Sequence, residues 1–203
     1  MKKIILIISS IILIIIIILV VVYYKEYKIK YNSYLFLGDS ITYGYPLKES
    51  FKGYPTNKSG VCGYTTQDIL NNMDSMVYSY NPSKVFLLIG INDISSNKNK
   101  DYIINNIKKI VDNIKNFDNN IEIYIESIYP VNSNLRRDID NNKIIEVNTY
   151  IEDLCNKEDL HYIDIYNLLI DDNNNLKRKY TIDGIHLTND AYKVVTKELI
   201  KYL

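Results

Sequence analysis

Cysteine, histidine and tryptophan are scarce in this chain, and their scarcity excludes several kinds of site. The 203 residues include two cysteines, two histidines and no tryptophan. The two thiols, Cys62 and Cys155, lie far apart, and the sequence contains no Cys-x-x-Cys motif or Cys/His cluster of the kind that binds zinc. We therefore expect no metal and two unpaired cysteines. A disulfide stays an open alternative if the domain lies outside the cell.

The chain also lacks an excess of charge of either sign. Its 24 lysines and arginines are balanced by 24 aspartates and glutamates, so the formal net charge is zero. A protein that binds nucleic acid through its phosphates normally carries a basic surface. The composition therefore predicts no nucleic-acid partner.

One long apolar run is present, and it lies at the N-terminus. Residues 4–22 are isoleucine, leucine and valine apart from two serines. As a helix this run spans roughly 28 Å, close to the hydrocarbon thickness of a bilayer. Lys2 and Lys3 precede the run, and Tyr23 and Tyr24 follow it where an interfacial aromatic belt would lie. The pattern predicts contact with a membrane through residues 4–22.

The competing interpretation of this run is a cleaved secretory signal. Such signals usually have an apolar core of about 7–15 residues and small residues at the cleavage site. Here the run is longer, and it ends in Val-Val-Tyr-Tyr-Lys-Glu with no small residue. We therefore predict an uncleaved transmembrane helix over residues 1–24 and a polar tether over 25–33. Basic residues flank both ends of the run, so the charge bias does not decide the orientation. A basic head before an apolar core favours a single-pass protein of the cell membrane with its C-terminal domain outside the cytoplasm.

The remaining residues, 34–203, have the alternating pattern of one α/β domain. Apolar runs predict buried strands at 34–37, 85–89, 121–128 and 161–165, with a weaker candidate at 54–57. Helical spacing predicts helices over 65–73, 103–117, 139–155 and 189–202. Asp101 is the expected N-cap of the second helix, and Thr188 or Asn189 that of the last. Apolar strands that alternate with helices predict a parallel sheet covered on both faces, with sites beyond the carboxyl ends of the strands.

Four short motifs in this domain contain the groups that a serine hydrolase needs. They are Gly38-Asp39-Ser40, Gly63, Gly90-Ile91-Asn92-Asp93 and Asp183-Gly184-Ile185-His186. Ser40 follows a predicted strand and is the expected nucleophile, which requires a base to take its proton. His186 is the expected base, because the ordinary pKa of histidine near 6.5 suits proton transfer at neutral pH. His161 begins a predicted strand at the opposite end of the sheet, so a structural role is expected for it.

The motifs, in this order and position, resemble the SGNH hydrolases, also called the GDSL esterase/lipase family, over residues 34–203. The resemblance implies a three-layer α/β/α sandwich of flavodoxin-like type with about five parallel strands. It also implies hydrolysis of carboxylic esters through an acyl-serine intermediate, with no cofactor. Asp183 would orient His186, and the oxyanion would be held by the backbone N–H groups of Ser40 and Gly63 and by the Asn92 amide.

Two further choices depend on the resemblance. Gly63 is preferred to the nearby Gly60 because it leads into a helix, as the glycine of the family does. Asp39 and Asp93 are expected to organise their loops by hydrogen bonds and are given no chemical role.

The substrate stays open at this point. The expected substrate is a small-molecule or polymer-borne acyl ester, and a carbohydrate or cell-envelope O-acetyl or short-acyl ester comes first because a tethered domain outside the membrane would meet such polymers. A lysophospholipase, lipase or thioesterase comes second. A membrane-tethered binding module without turnover is the alternative of a different class.

Overall fold

The computed structural model describes residues 2–31 and 33–203, with side chains for 7–25 and 33–203. Its centre is a five-stranded parallel sheet in the order β2-β1-β3-β4-β5. The strands are β1 (Tyr34–Gly38), β2 (Thr56–Gly60), β3 (Lys84–Leu88), β4 (Glu122–Glu126) and β5 (His161–Ile163). The predicted α/β class with about five parallel strands is confirmed. The weakest strand prediction, 54–57, lies two residues too early.

Helices precede, connect and follow the strands. They are α1 (Lys2–Tyr31), α2 (Ser40–Gly44), α3 (Leu47–Ser50), α4 (Thr66–Asn71), α5 (Met73–Met76), α6 (Ile91–Ser95), α7 (Lys100–Phe117), α8 (Asn141–Glu158), α9 (Tyr166–Leu169) and α10 (Asn189–Leu199). Short 3-10 turns lie at Tyr78–Tyr80, Arg178–Tyr180 and Ile200–Tyr202.

Both faces of the sheet are covered. Successive residues of a strand point to opposite faces, and the last four residues of each of β1, β3 and β4 are all buried. On one face Phe36, Phe86 and Tyr124 stack across the three central strands, with ring centroids 4.9 and 4.8 Å apart. Helix α7 contributes a fully buried row of apolar side chains at Ile103, Ile107, Ile110, Val111 and Ile114. This packing makes the sheet a rigid base for the loops at its ends.

The helix boundaries differ from the predicted ones where a side chain caps the chain earlier or later. The N-cap of α7 is Asn99, whose side chain accepts a hydrogen bond from the Tyr102 N–H, and not Asp101. Asp101 lies in the first turn, where a carboxylate interacts favourably with the helix dipole. Helix α8 begins after Asp140, which caps it, and runs to Glu158. Thr188 caps α10, one of the two predicted positions.

The N-terminal segment is helical over a longer range than predicted. Helix α1 continues to Tyr31, so residues 25–31 of the predicted tether have helical backbone, while Met1 and Asn32 lie outside the described residues. Within the described part of the chain, one helix is long and apolar enough to cross a membrane, over Ile7–Lys25. Its apolar side chains from Ile7 to Val22 are about half exposed or more, so the protein itself does not cover them.

Candidate active site

Three of the predicted motifs lie at the carboxyl ends of β1, β2 and β3. Strand β1 lies between β2 and β3, and its last residue, Gly38, pairs with Gly60 and with Leu88. Ser40 begins α2 two residues after β1. The loop after β2 leads to Gly63, and Asn92 follows β3. The sheet order therefore puts Ser40 between the loops that contain Gly63 and Asn92.

Ser40, His186 and Asp183 form a continuous chain of hydrogen bonds. The Ser40 Oγ lies 2.9 Å from His186 Nε2. On the other side of the ring, His186 Nδ1 lies 2.6 Å from Asp183 Oδ2. Residues 146 positions apart in the sequence thus meet within hydrogen-bonding distance. The arrangement allows the imidazole to take a proton from the serine hydroxyl while the carboxylate holds its second nitrogen.

The Asp183 carboxylate stays ionised at neutral pH. Partial burial acts to raise its pKa, but hydrogen bonds from the His186 ring and from the backbone N–H groups of His186 and Ile185 outweigh that effect. The balance lowers the pKa of Asp183 to about 2. The backbone bonds, 2.9 Å from His186 and 3.0 Å from Ile185, both reach Oδ1 and leave Oδ2 for the ring. The aspartate therefore both shapes its own turn and orients the imidazole.

The turn that carries His186 is held by its neighbours. The Thr181 hydroxyl accepts a hydrogen bond from the Gly184 N–H at 2.8 Å and donates to the His186 carbonyl at 3.0 Å. The Asn132 N–H donates to the Gly184 carbonyl at 2.8 Å. Gly184 has φ +102°, and an added Cβ would lie 2.7 Å from the Arg136 side chain. Only glycine satisfies both the backbone angle and the close packing here.

Helix α2, which begins with Ser40, is held by a buried carboxyl and by close packing around the end of β1. Asp39 is 1% exposed, and its Oδ1 accepts a hydrogen bond from the Ile41 N–H at 2.9 Å. Burial raises the pKa of Asp39 to about 7. An added Cβ at Gly60 would lie 2.4 Å from the Tyr43 backbone nitrogen, and one at Gly38 would lie 2.2 Å from the Leu88 carbonyl oxygen. Gly60 therefore lets β2 approach this short helix closely, and Gly38 lets the end of β1 lie close to the end of β3.

The two predicted oxyanion donors are in different environments. Gly63 has φ +79°, which favours glycine, and among the described residues no atom beyond its chain neighbours lies within 4 Å of the point that a Cβ would occupy. One hydrogen of the Asn92 amide is used, because Nδ2 donates to the Tyr64 carbonyl at 2.9 Å. An amide nitrogen has a second hydrogen to donate. The bond to Tyr64 links Asn92 to the loop that contains Gly63.

Asp93 links the same two loops through buried hydrogen bonds. Its side chain is fully buried and accepts hydrogen bonds from the Thr66 N–H at 2.9 Å and from the Thr66 hydroxyl at 2.6 Å. Asn106 of α7 donates in turn to the Thr66 hydroxyl oxygen at 3.1 Å. Because Thr66 begins α4, this network fastens the Asn92 loop to the helix that follows Gly63.

The second histidine lies away from the Ser40–His186–Asp183 contact, and the two cysteines form no disulfide. His161 begins β5 at the amino end of the sheet, where its ring stacks on Tyr124 with centroids 4.5 Å apart. Cys62 and Cys155 are both free, the first exposed and the second buried. Among the described residues, no group of three or more histidine, cysteine, aspartate or glutamate side chains is placed to hold a metal ion.

The close packing of Gly60 against α2 is not predicted from the sequence. Gly60 enters the sequence prediction only as a rival of Gly63, yet it allows the contact between β2 and α2. The signal for this role is its position at the end of a strand, where glycine often marks a close approach of backbone.

An α/β fold with a hydrogen-bonded serine, histidine and aspartate at the carboxyl ends of its strands has the arrangement of groups found in serine-dependent hydrolases. A family model described as the GDSL-like Lipase/Acylhydrolase family matches residues 36–194, and the chain belongs to this family. The protein is accordingly an enzyme of the hydrolase class that acts on ester bonds.

Solved structures give the same fold. A Streptococcus pneumonia protein named for platelet activating factor is 32% identical, with a TM-score of 0.80 over 84% of this chain and 83% of that one. A GDSL-like lipase from Bacteroides thetaiotaomicron is 25% identical, with a TM-score of 0.77 over 85% of this chain and 88% of that one.

A curated relative is similar over part of its length. The N-acylneuraminate cytidylyltransferase of Streptococcus agalactiae serotype V is 28% identical over 160 residues, which are 78% of this chain and 36% of that protein. The chain thus spans about a third of the curated relative that it matches.

Proposed function

We propose that this protein hydrolyses carboxylic esters through an acyl-enzyme formed on Ser40. The observation that carries the proposal is the unbroken chain of hydrogen bonds from Ser40 Oγ through His186 to Asp183. A serine hydroxyl is a weak nucleophile until an adjacent base takes its proton. In support of the proposal, His186 Nε2 lies 2.9 Å from Ser40 Oγ, and the Asp183 carboxylate lies beside the other ring nitrogen, where it would stabilise the imidazolium.

In the first half of the proposed reaction, Ser40 Oγ attacks the ester carbonyl while His186 Nε2 takes the hydroxyl proton. The negative charge that develops on the carbonyl oxygen is bound by the N–H groups of Ser40 and Gly63 and by the free hydrogen of the Asn92 amide. The intermediate collapses when His186 gives its proton to the leaving alcohol oxygen. Water then repeats the sequence on the acyl-serine and releases the carboxylic acid.

The substrate we propose is an O-acetyl or other short-acyl ester on a carbohydrate or another cell-envelope molecule. The site is open, since the side chains of Asp183 and His186 are 47% and 43% exposed. An ester attached to a larger polymer can approach Ser40 beside this open pair without threading into a tunnel. The name of the curated relative also contains a sugar acid, N-acylneuraminate, although this chain spans only about a third of that protein.

A lysophospholipase, lipase or thioesterase activity is the second candidate. The observation that favours it is helix α1, because a membrane segment would keep the enzyme near lipid. The family name and the similar protein named for platelet activating factor point the same way.

A membrane-tethered binding module without turnover is the candidate of a different class. It would require the hydrogen-bonded Ser40, His186 and Asp183 to be unreactive toward esters. A fluorophosphonate probe, which reacts with activated serines, distinguishes this candidate directly.

We also propose that the protein is a single-pass protein of the cell membrane with its hydrolase domain outside the cytoplasm. The proposal is supported by the exposed apolar surface of α1 and by the basic residues that precede it. The candidate span, Ile7–Lys25, has the length that a bilayer requires.

The test of the proposed activity is hydrolysis of p-nitrophenyl acetate by the full-length protein in detergent. Ser40→Ala removes the nucleophile and is expected to abolish turnover. Ser79→Ala is the matched control, because Ser79 is exposed and lies before β3 at the opposite end of the sheet. Turnover by Ser40→Ala at the wild-type rate would refute the proposed roles.

The substrate class is tested by comparing two products. Acetate released from native cell-wall polymer would support the carbohydrate esterase. Fatty acid released from lysophospholipid, with no acetate from the polymer, would favour the second candidate.

A further inference from the structure

The point where the chain enters the hydrolase domain lies at one end of the sheet. We call this end the amino pole, defined by the first residues of four strands, Tyr34, Thr56, Lys84 and Glu122. These residues lie side by side, since Tyr34 pairs with Thr56 and Lys84, and Lys84 pairs with Glu122. The membrane helix α1 ends only a few residues before the first of them.

Ser33 is firmly attached to the amino pole. It is 3% exposed, and its carbonyl accepts a hydrogen bond from the Ser83 N–H at 2.9 Å. Its hydroxyl donates to the Tyr80 carbonyl at 3.4 Å. The next residue, Tyr34, donates its N–H to the Pro55 carbonyl at 2.9 Å. The domain is therefore held to its N-terminal segment at a fixed point, Ser33.

The catalytic residues lie at the other end of the sheet. All five strands are parallel, so their carboxyl ends share one pole, and Ser40 follows the last residue of β1 directly after Asp39. Seven residue steps separate Ser33 from Ser40, which corresponds to roughly 20 Å for an extended strand and the turn that follows it. Attachment and catalysis are thus at opposite poles.

The link between membrane and domain is short. Helix α1 ends at Tyr31, six residues beyond Lys25, where the candidate span ends. Those six helical residues add about 9 Å. The two steps from Tyr31 to Ser33 add at most about 7 Å. Whatever angle the helix makes with the domain, Ser33 stays within about 16 Å of the membrane surface, the sum of these two lengths.

That distance is too short for the domain to turn its catalytic pole toward the bilayer. A domain of this length has a radius of gyration of about 15 Å, which corresponds to a sphere about 40 Å across. With Ser33 and Ser40 placed symmetrically about its centre, the catalytic pole touches the bilayer only when Ser33 is about 30 Å above it. The available link is about half of that length.

We propose that the active site faces away from the membrane that anchors the chain and acts on esters presented from the aqueous or cell-wall side. Lipids of the anchoring bilayer are excluded as substrates, whereas soluble esters and polymer-borne esters are accessible. This inference depends on the proposed ester hydrolysis and on the proposed membrane anchor. Its first test measures distance and not activity. A wrong orientation can therefore be told from a wrong assignment of ester hydrolysis.

The distance is measured by energy transfer from a label on the protein to acceptor lipids in the same vesicle. Cys62 is the label position near the site, because its thiol is exposed one residue before Gly63. Cys155 does not compete for the label, because it is buried and burial raises the pKa of its thiol to about 12. The full-length protein is reconstituted in phosphatidylcholine vesicles with a headgroup-labelled acceptor lipid.

A label at the amino pole is the matched control. Asn119→Cys in a Cys62→Ser background puts one thiol on an exposed turn three residues before β4. We expect clearly less efficient energy transfer to the lipids from a label at Cys62 than from one at position 119. The two labels should differ in height above the bilayer by roughly 20 Å. Transfer from Cys62 equal to or greater than that from position 119 would overturn the inference. Protein that does not float with the vesicles would overturn it as well, since the anchor is then absent.

Activity of the unlabelled wild-type protein in vesicles of the same lipid gives an independent reading. We expect hydrolysis of p-nitrophenyl acetate in solution and no hydrolysis of a fluorogenic ester lipid in the anchoring bilayer. Hydrolysis of that lipid at a rate comparable to the soluble ester would overturn the orientation while leaving the ester hydrolase intact. Loss of both activities, with the energy transfer as expected, would instead refute the proposed function and with it the substrate inference.

Discussion

A buried glutamate at the end of β4 makes the stability of this enzyme depend on pH. Glu126 is 4% exposed, and the hydroxyl of Tyr129 donates a hydrogen bond to its Oε2. Burial raises the pKa of Glu126 to about 7, and the hydrogen bond from Tyr129 offsets only part of that effect. The side chain is therefore neutral in the folded protein at pH 5 and ionised at pH 8.

The size and sign of the effect follow from the pKa of Glu126 in the folded and unfolded states. In the unfolded chain the carboxyl has its ordinary pKa of 4.5, so between about pH 4.5 and 7 the folded state binds the extra proton. The folded state loses stability as the pH rises through this window. A pKa difference of about 2.5 corresponds to about 3 kcal/mol. For a protein of this length that is a fall in melting temperature of roughly 6–12 °C between pH 4.5 and 8.

The perturbation is Glu126→Gln, which removes the titration and keeps an oxygen that accepts from Tyr129. The amide adds a donor of its own, so the informative quantity is the pH dependence of the melting temperature and not its value at one pH. Asp39 also has a pKa raised to about 7 by burial, so part of the wild-type pH dependence remains in the variant.

The assay is thermal unfolding of the full-length protein in detergent at intervals from pH 4.5 to 8. We expect the melting temperature of Glu126→Gln to fall less with rising pH than that of the wild type. Glu49→Gln is the matched control, because Glu49 is exposed on α3 and the same change there should leave the wild-type slope unaltered. Identical slopes for Glu126→Gln and the wild type would refute the reasoning.

Three further predictions concern the catalytic end of the sheet. Asn92→Ala should lower kcat by about 10²–10³-fold, measured with p-nitrophenyl acetate, because one oxyanion donor is lost; an unchanged kcat would remove Asn92 from that role. Asp183→Asn should lower kcat by up to about 10⁴-fold with the protein still folded by circular dichroism, because the imidazole loses its orienting anion; wild-type turnover would contradict this. Gly60→Ala should lower the melting temperature more than Gly63→Ala, because its Cβ would lie 2.4 Å from the backbone at Tyr43 whereas space is open at Gly63; the reverse order would show that φ matters more than contact.

The parts of the fold and site that the sequence predicts are those with a strong local signal. Apolar runs that end in glycine locate β1 and β3, and with them the positions of Ser40 and Asn92 at the same end of the sheet. The sequence also separates His186 from His161, because position relative to a strand decides which end of the sheet a residue occupies.

What the sequence could not predict depends on contacts between distant segments. Nothing local distinguishes the buried Glu126 from an exposed strand glutamate, because its burial arises only when the sheet is covered. The contact of Gly60 with α2 likewise requires the pairing of β1 with β2. The polar segment after Lys25 continues α1 to Tyr31, where composition alone favours a tether.

The proposed mechanism depends on one activated hydroxyl, and covalent labelling tests it most directly. The full-length protein is treated with a fluorophosphonate, digested and analysed by peptide mass spectrometry. We predict a single stoichiometric adduct on Ser40 in the wild type, none in Ser40→Ala, and slower labelling in Asp183→Asn. A wild-type protein that stays unlabelled, or an adduct that persists at another residue in Ser40→Ala, would contradict the assignment of Ser40 as the nucleophile.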